Sequence, residues 1–375
     1  MKKLFVLIFI LSMINFSSCT KLGESRSGGT RTSSGPDNLD YMQAPENAEF
    51  ILVTSHDHNT DGYNHQASLL FKTIVENKSN GRVGVKIYPN GQLAASGKEG
   101  IDALMSGNID IFKATDDLAS YWTPANAFGL PYLFPNDRVA EAVLSDPEIV
   151  DAARKSIAEK YPQLKLVMIA ASGGWRDFAT TSKKQIKVPS DIKGLKIRTV
   201  PSQVQQELVT ILGGSPTAMP YSEIYTSLST GVVDGVKLSI VDIVNAKLHE
   251  TLHYIILDNH AYLSAFWFIN SDKLNSMPED LQVIVLDAFE DMRNYLNSYP
   301  KHQQIQAYND FRARGGVVYN PSEDELNMFV EQSKPVKDWL VEQYGEEVSP
   351  WIAKLEQKVN EHSKRIESIN NQLIN

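Results

Sequence analysis

The stretch DIKGLKIRTV, residues 191–200, contains a short apolar run, Leu195–Val200, of the kind that forms a buried strand in a parallel sheet. It is followed by SQVQQELVTILGG, in which apolar residues recur at helical spacing up to Gly213 and Gly214. A strand followed directly by a helix is a unit of an open α/β sheet. Arg198 lies inside this strand, and it requires an anionic partner because an unpaired buried charge costs several kcal/mol.

The same alternation runs through the chain from about Ala48 onward. EFILVTS, RVGVKIYP, DIFKA and LKLVMIAAS (ending near Ala171) predict strands, with helical patterns between them, one of which covers residues 137–162 without a break. The two prolines of FGLPYLFP predict a loop. A helix–Gly–strand pattern appears in GKEGIDALMSGNIDIFKA and again in YSEIYTSLSTGVVDGVKLSI, which indicates two similar modules with a cleft between them.

We therefore expect an α/β, two-lobed fold like that of periplasmic binding proteins, with a mostly parallel sheet and flanking helices in each lobe. A long helical stretch, interrupted only by Pro300, is long enough to span both lobes. Ligands of such sheets bind at the carboxyl ends of the strands. The predicted bounds are residues 48–173 plus 264–303 for lobe I, 174–263 plus 304–345 for lobe II, and 346–375 for a C-terminal helical tail.

The N-terminus carries a targeting signal. MKK is a basic region, and Leu4–Ile14 is an apolar stretch of signal-peptide length that is too short for a comfortable membrane span. Ser17 and Ser18 precede Cys19, as at a bacterial lipoprotein processing site, although Phe16 departs from the aliphatic residue usual there. We expect residues 1–18 to be a signal peptide and Cys19 to be lipidated; the alternative is a plain secretory signal with an incidental cysteine.

Residues 19–47 are rich in Ser, Gly and Thr and predict a flexible tether from the membrane to the folded domain. Cys19 is the single cysteine of the chain, so no internal disulfide is expected. The 375 residues carry a formal net charge of −9, which argues against nucleic acid as a partner because that function needs a basic face.

Five segments in order make the chain similar to a known family. VKIYPNGQL, FGLPYLF, IKVPSDIKGLKIRT, LGGSPTAMPYSEIYTSLSTGVVDG and MPEDLQ resemble the solute-binding proteins of tripartite ATP-independent periplasmic (TRAP) transporters, the DctP-type family, from about Phe50 to Tyr344. The resemblance implies a protein of the periplasm or outer membrane face that closes over a small organic carboxylate. It also implies delivery to the membrane permease subunits, driven by an ion gradient.

Two arginines are the leading ligand candidates. Arg198 falls on the arginine that clamps the ligand carboxylate in the family, and a planar guanidinium offers paired donors that match a carboxylate. The alternative is a structural pair with an acid such as Asp191. Arg176, in GGWRDFATTS, matches a loop arginine that gives a further contact; the alternative is a hinge salt bridge, and the adjacent Asp177 is expected to neutralise it in part.

Aromatic candidates are ranked behind the arginines. Tyr221, in AMPYSEIY, matches a pocket-lining aromatic position of the family, where the ring gives an apolar wall and the hydroxyl a hydrogen bond. A core aromatic is the alternative. Trp175 and Trp122 are weaker candidates of the same kind.

The segment SHDHNTDGYNH contains three histidines, but the spacing of His56, His58 and His65, with Asp57 and Asp61 among them, matches no standard zinc signature. We expect no metal and no cofactor. Since the family places polar ligand contacts in this loop, His56, Asp57 and His58 are predicted to supply one or two of them.

Several further polar residues are candidates. Acidic groups at strand ends or helix starts would bind ligand hydroxyls or an amine, although solvated surface is the alternative for each. The residues are Glu99, Asp116 and Asp117.

One segment departs from the family. After GVVDG the family commonly has QENP, whose Asn contacts the ligand, whereas this chain has VKLS with Leu238 at the Asn position. Either Lys237 or Ser239 is expected to compensate, or the ligand is expected to be more apolar or differently charged. The departure leaves the particular acid open.

The sequence contains no GxSxG, HExxH or P-loop motif and no spaced His/Cys cluster, so we expect no enzyme. A periplasmic ligand sensor or a hydrolase on the same scaffold is the alternative function.

Overall fold

A computed structural model of the chain describes residues 40–374, and its centre is a sheet of nine strands. The strand order is β2-β1-β3-β8-β4-β7-β5-β6, with β9 beside β8. The strands are β1 (Phe50–Ser55), β2 (Val83–Tyr88), β3 (Ile111–Ala114), β4 (Leu164–Thr180), β5 (Lys196–Thr199), β6 (Ser215–Ala218), β7 (Gly235–Leu238), β8 (Tyr254–Asn270) and β9 (Val317–Tyr319).

Helices flank the sheet on both faces. They are α1 (Tyr63–Lys78), α2 (Gly97–Met105), α3 (Ala125–Phe128), α4 (Asp137–Leu144), α5 (Pro147–Lys160), α6 (Gln203–Ile211), α7 (Ile224–Ser229), α8 (Ile240–Asn245), α9 (Ser271–Asn275), α10 (Glu279–Ala313), α11 (Glu323–Ser333), α12 (Pro335–Tyr344) and α13 (Ser349–Ile374). None of the helices in residues 40–374 is long and apolar enough to cross a membrane.

The α/β class expected from the alternating pattern is confirmed. Strands β2, β1 and β3 pair in parallel, as do β6, β5 and β7. The two parallel groups are not separate sheets, however. The long antiparallel strands β4 and β8 pair from Leu164↔Asn270 to Thr180↔Tyr254 and join both groups into one sheet. We call the β1–β3 side the first half of the sheet and the β5–β7 side the second half.

Two strand predictions were incomplete. β4 does not end at Ala171; its register shifts between Ala171 and Gly174, and the strand continues to Thr180. The 17-residue β8 was not predicted. Its apolar residues do not alternate with polar ones because both faces are buried: Phe266 and Trp267 pack into the cores on opposite sides of the sheet.

Two helix predictions were also corrected. The helical pattern over residues 137–162 is two helices, α4 and α5, because Asp146 caps the second one through the Glu148 N–H and Pro147 occupies its first turn. Conversely, Pro300 does not interrupt α10, which runs unbroken for 35 residues. Contacts of α10 with α1 at one end and α8 and β9 at the other stabilise it across both halves despite the missing N–H. The helix α13 occupies the segment predicted as a helical tail.

Candidate functional site

A small cavity of about 60 Å³ lies where the two halves of the sheet meet. Its walls come from the residues that follow β1, β3 and β5, from the end of β7, and from Ser172 and Leu263, where β4 and β8 pass from one half to the other. This is the carboxyl-terminal edge of the parallel strands, the position at which open α/β sheets bind ligands.

Arg198 lines this cavity and is 4% exposed. Its Nε and Nη2 atoms both donate to the carbonyl oxygen of Met219, at 3.1 and 2.7 Å. No Asp or Glu oxygen of residues 40–374 lies within 4.0 Å of its guanidinium nitrogens, and Asp191 instead pairs with Lys184 at 3.6 Å. Burial, followed by the charge of Arg176, lowers the pKa of Arg198 to about 10. The group therefore remains a cation whose direct hydrogen-bond partner is a peptide carbonyl, with the charges of Asp57 and Asp117 acting on it from farther away.

Arg176 also lines the cavity, but it lies inside β4 and not on a loop. Its Nη2 atom is 2.6 Å from Oδ2 of Asp116, and both side chains are buried. The adjacent Asp177 does not neutralise it, because the Asp177 carboxylate accepts the N–H of Asn259 in β8. Arg176 thus contributes to the cavity as half of an ion pair between the two halves of the sheet.

Lys113, a cavity residue that the sequence analysis missed, lies in β3 and is buried. Its Nζ atom is 3.2 Å from Oδ1 of Asp57. Burial alone would raise the pKa of Asp57, but the charges of Lys113 and His58 hold it below its usual range. The sequence did contain a signal for Lys113. A basic residue within the apolar strand DIFKA requires an anionic partner for the same reason as Arg198 within LKIRTV.

Two further acids, Asp242 and Asp117, line the cavity. Asp242, which was also missed, is buried, and its Oδ2 atom accepts the hydroxyl of Ser239 at 2.8 Å. Its Oδ1 atom has no hydrogen-bond partner in residues 40–374 and lies 3.9 Å from Nδ1 of His58. Asp117, predicted as a polar candidate, accepts the N–H of Thr115 at 2.9 Å. Burial raises the pKa of both carboxyls, so both are poor partners for a cation and good partners for a hydroxyl.

Tyr221 and His58 form an aromatic wall of the cavity. Their rings stack with centroids 4.7 Å apart and an interplanar angle of 10°. The Tyr221 hydroxyl donates to the carbonyl oxygen of Asp242 at 3.2 Å. Trp175 and Trp122 do not line the cavity, since their indole N–H groups donate to Asp137 and Ser156.

His56 and Glu99 were predicted ligand contacts, but the structure places both outside the cavity lining. The His56 ring is buried against His65, with Nε2 and Nδ1 3.1 Å apart, and burial lowers its pKa to about 3. The Glu99 carboxylate accepts a hydrogen bond from the backbone N–H of Ala95. The backbone N–H of Glu99 donates to the hydroxyl of Ser96, the N-cap of α2. Glu99 therefore stabilises a helix start.

Lys237 and Ser239, the residues expected to compensate for Leu238, are not among the residues that line the cavity. Alternate residues of a strand point to opposite faces, so Leu238 lines the cavity while Lys237 faces away. The Lys237 ammonium donates to the carbonyl and side-chain oxygens of Gln205, at 3.1 and 2.8 Å. Ser239 caps α8 and contacts Asp242 from behind the cavity.

Within residues 40–374, no group of three or more His, Cys, Asp or Glu residues is arranged to hold a metal ion. The cavity instead combines cationic side chains with carboxyl groups whose pKa is raised by burial. Such an arrangement can bind an anion that also carries hydrogen-bond donors.

Residues 54–343 match the family described as bacterial extracellular solute-binding protein, family 7 (DctP). One relative is the 2,3-diketo-L-gulonate-binding periplasmic protein YiaO of Escherichia coli, 27% identical over 255 residues that cover 68% of this chain and 76% of the relative. Another is the C4-dicarboxylate-binding periplasmic protein DctP of Rhodobacter capsulatus, 26% identical over 313 residues, 82% of this chain and 91% of the relative.

Solved structures give the same fold. A TRAP periplasmic solute-binding protein of Haemophilus influenzae with bound L-gulonate is 25% identical, with a TM-score of 0.75 over 84% of this chain and 99% of that one. One of Anaerococcus prevotii with bound D-glucuronate is 24% identical, with a TM-score of 0.77 over 83% and 99%.

Proposed function

The chain belongs to the bacterial extracellular solute-binding proteins of family 7, and we propose that it captures a small organic carboxylate for a TRAP-type permease. The observation that carries the proposal is Arg198, a buried guanidinium at the strand ends with no carboxylate within 4.0 Å in residues 40–374. A ligand carboxylate would supply the missing anion. Relatives named for binding a keto sugar acid and a C4-dicarboxylate support this ligand class.

The charged residues of the cavity indicate which class of carboxylate it binds. Asp116 pairs with Arg176 and Asp57 pairs with Lys113, which leaves Arg198 as the cation that one ligand carboxylate would neutralise. A second ligand carboxylate placed near Asp242 would meet a like-charged or protonated acid. We therefore infer a monocarboxylate with hydroxyl groups over a C4-dicarboxylate, because hydroxyls would donate to the unpartnered Oδ1 of Asp242.

Capture would proceed by closure of two lobes, residues 48–173 plus 264–303 and residues 174–263 plus 304–345. The proposal is supported by cross-contacts on both sides of the cavity, including Arg176–Asp116 and the hydrogen bond from Asn59 Nδ2 to the carbonyl of Asn245 at 2.7 Å. A ligand that touches both lobes makes contacts present only in the closed form and so shifts the population toward it. Exclusion of water then strengthens the ion pair with Arg198.

The test is a thermal-shift screen against small organic acids, followed by calorimetry on each acid that raises the melting temperature. We expect a hydroxylated monocarboxylate to bind with micromolar or tighter affinity, about −8 kcal/mol, and succinate to bind more weakly. If no carboxylate raises the melting temperature, the proposed function is wrong. Stoichiometric capture without turnover would separate this function from a hydrolase.

Export and anchoring are part of the proposal. Cys19 and the predicted signal peptide lie outside the described residues, and the proposal rests on the sequence pattern and on a family of extracellular proteins. Mass spectrometry of protein extracted from membranes should find acyl chains on an N-terminal Cys19. A mature N-terminus beyond Cys19 would contradict the lipid anchor and leave export in place.

A further inference from the structure

A second cavity, of about 200 Å³, lies beside the first one and is more than three times larger. It opens between the loops that follow β1 and β2 on one side and the segment around α7 on the other. We call the first the inner compartment and the second the outer compartment. The walls of the outer compartment include Asn59, Asn90, Ser222 and Tyr225.

The two compartments are neighbours because Asp57 and Tyr221 line both of them. Each of these side chains is held by an inner-compartment residue: Asp57 by Lys113 at 3.2 Å, and Tyr221 by the stacked ring of His58. The Asp57 side chain is 26% exposed, so a ligand in the outer compartment can reach it. A ligand bound in either compartment would therefore contact Asp57 and Tyr221.

The outer compartment has a different chemistry from the inner one. Its named walls offer two amides and two hydroxyls, and Asp57 is its only ionisable acid or base apart from the tyrosines among the residues of the described chain that line it. The Oδ1 atom of Asn59 is buried without a hydrogen-bond partner in residues 40–374, while Nδ2 of the same amide reaches the carbonyl of Asn245. An orphaned acceptor beside an acid suits donors such as alcohol hydroxyls and disfavours a second carboxylate.

We propose that the outer compartment is a second subsite, which binds the polyhydroxylated tail of an elongated acid whose carboxylate lies at Arg198. This inference rests on the proposed function. The inner compartment alone is too small for the full ligand, so the affinity depends on the length of the carbon chain of the acid. Hydroxyls of the tail would be recognised by Asp57, Asn59 and the hydroxyl-bearing wall opposite.

The experiment compares two acids of the same chemistry and different length, L-threonate with four carbons and D-gluconate with six, by calorimetry on the full mature chain. Ser222→Trp fills the outer compartment from an exposed position, and Thr226→Trp is the matched control, since Thr226 is exposed and lines neither compartment. We expect the parent protein to bind gluconate at least tenfold more tightly than threonate. Ser222→Trp should remove that gain and leave threonate within twofold, and Thr226→Trp should leave both acids unchanged.

Equal affinity of the parent for both acids, or a Ser222→Trp protein that still binds gluconate more tightly, would overturn the second subsite while capture at Arg198 stood. Failure of both acids and of all others in the screen would instead remove the proposed function itself. Threonate binding by Ser222→Trp also reports that this variant is folded.

Discussion

Arg198 illustrates what one residue in an apolar strand can predict. Its strand, its burial and its need for an anion followed from LKIRTV, and its match to the clamp arginine followed from the family resemblance. The partners of its neighbours did not follow, because Asp116–Arg176 and Asp57–Lys113 join residues that are 60 and 56 positions apart. Residues so far apart in the sequence are brought together only by the tertiary fold, so the sequence does not predict which of them pair.

Arg198→Lys should fold normally and lose roughly tenfold or more in affinity for the ligand acid, since an ammonium lacks the paired donors that match a carboxylate. Calorimetry measures the loss, and the exposed Arg365→Lys is the matched control. Arg176→Ala should weaken binding less, because Asp116 already neutralises Arg176. An Arg198→Lys protein that binds as tightly as the parent would refute the clamp.

Asp116→Asn should lower the free energy of unfolding of the ligand-free protein by on the order of 3 kcal/mol, because it leaves the buried guanidinium of Arg176 without its counter-charge. A bound carboxylate can supply that charge, so the ligand should raise the melting temperature more in the variant than in the parent. Urea denaturation measures the loss in the free energy of unfolding, and thermal melts with and without ligand measure the shift in melting temperature. Equal stability of the two proteins would mean that the pair is not important for folding.

At the scale of elements, the crossing of β4 between the two halves is the feature that positions the cavity. Gly173 and Gly174 have φ angles of +89° and +90°, a conformation that L side chains rarely adopt. The register shift places Ser172 in the cavity lining next to Tyr63, with the two hydroxyl oxygens 3.1 Å apart. Arg176 in this segment was matched to a loop arginine of the family, whereas here the two glycines bend a strand that continues past them.

Gly174→Ala and Gly173→Ala form a matched pair that separates strain from crowding. A Cβ at Gly174 would meet only the flexible end of Gln304, at 3.2 Å, so this variant should lose about 1–2 kcal/mol of stability from strain alone. A Cβ at Gly173 would lie 2.8 Å from both Asp242 Oδ2 and Ser239 Oγ.

We therefore expect Gly173→Ala to lose more stability than Gly174→Ala and to bind ligand much more weakly, as measured by urea denaturation and calorimetry. Equal effects of the two substitutions would show that the site tolerates a methyl group at the crossing.

At the scale of the whole molecule, a buried acid pair ties stability to pH. Asp258 accepts the N–H of Phe178 and contacts Nδ1 of His260 at 2.7 Å, within a bulge of β8 opposite Asp177. Burial raises the pKa of Asp258 to about 8, and burial together with the charge of Asp258 raises that of Asp177. Each folded carboxyl therefore keeps a proton that the unfolded chain releases near pH 4.

The contribution of Asp258 to stability is complete below about pH 4 and is lost as the pH rises through about 8. The pKa of His56 is lowered in the folded protein, so below about pH 6.5 this residue makes stability rise with pH, opposite to Asp258. The effect of Asp258 is therefore clearest between pH 6.5 and 8.5.

Asp258→Asn mimics the protonated acid. As the pH rises from 6.5 to 8.5, we expect the free energy of unfolding, measured by urea denaturation, to fall less in this variant than in the parent. Comparison with the parent cancels other buried groups such as Lys237, whose pKa burial lowers. Parallel pH profiles for the two proteins would contradict the assignment.

The sequence by itself determined the α/β class, the family, most of the short strands and their helices, and the buried arginine at position 198. These follow from periodicity and from residue chemistry, which act over a few positions. Only the tertiary structure decided that β4 and β8 run through both halves, that Lys113 and Asp242 line the cavity, and that Lys237, Ser239, His56 and Glu99 do not. Those outcomes depend on which face of a strand is buried and on contacts between distant segments, where packing of the whole chain overrides local pattern.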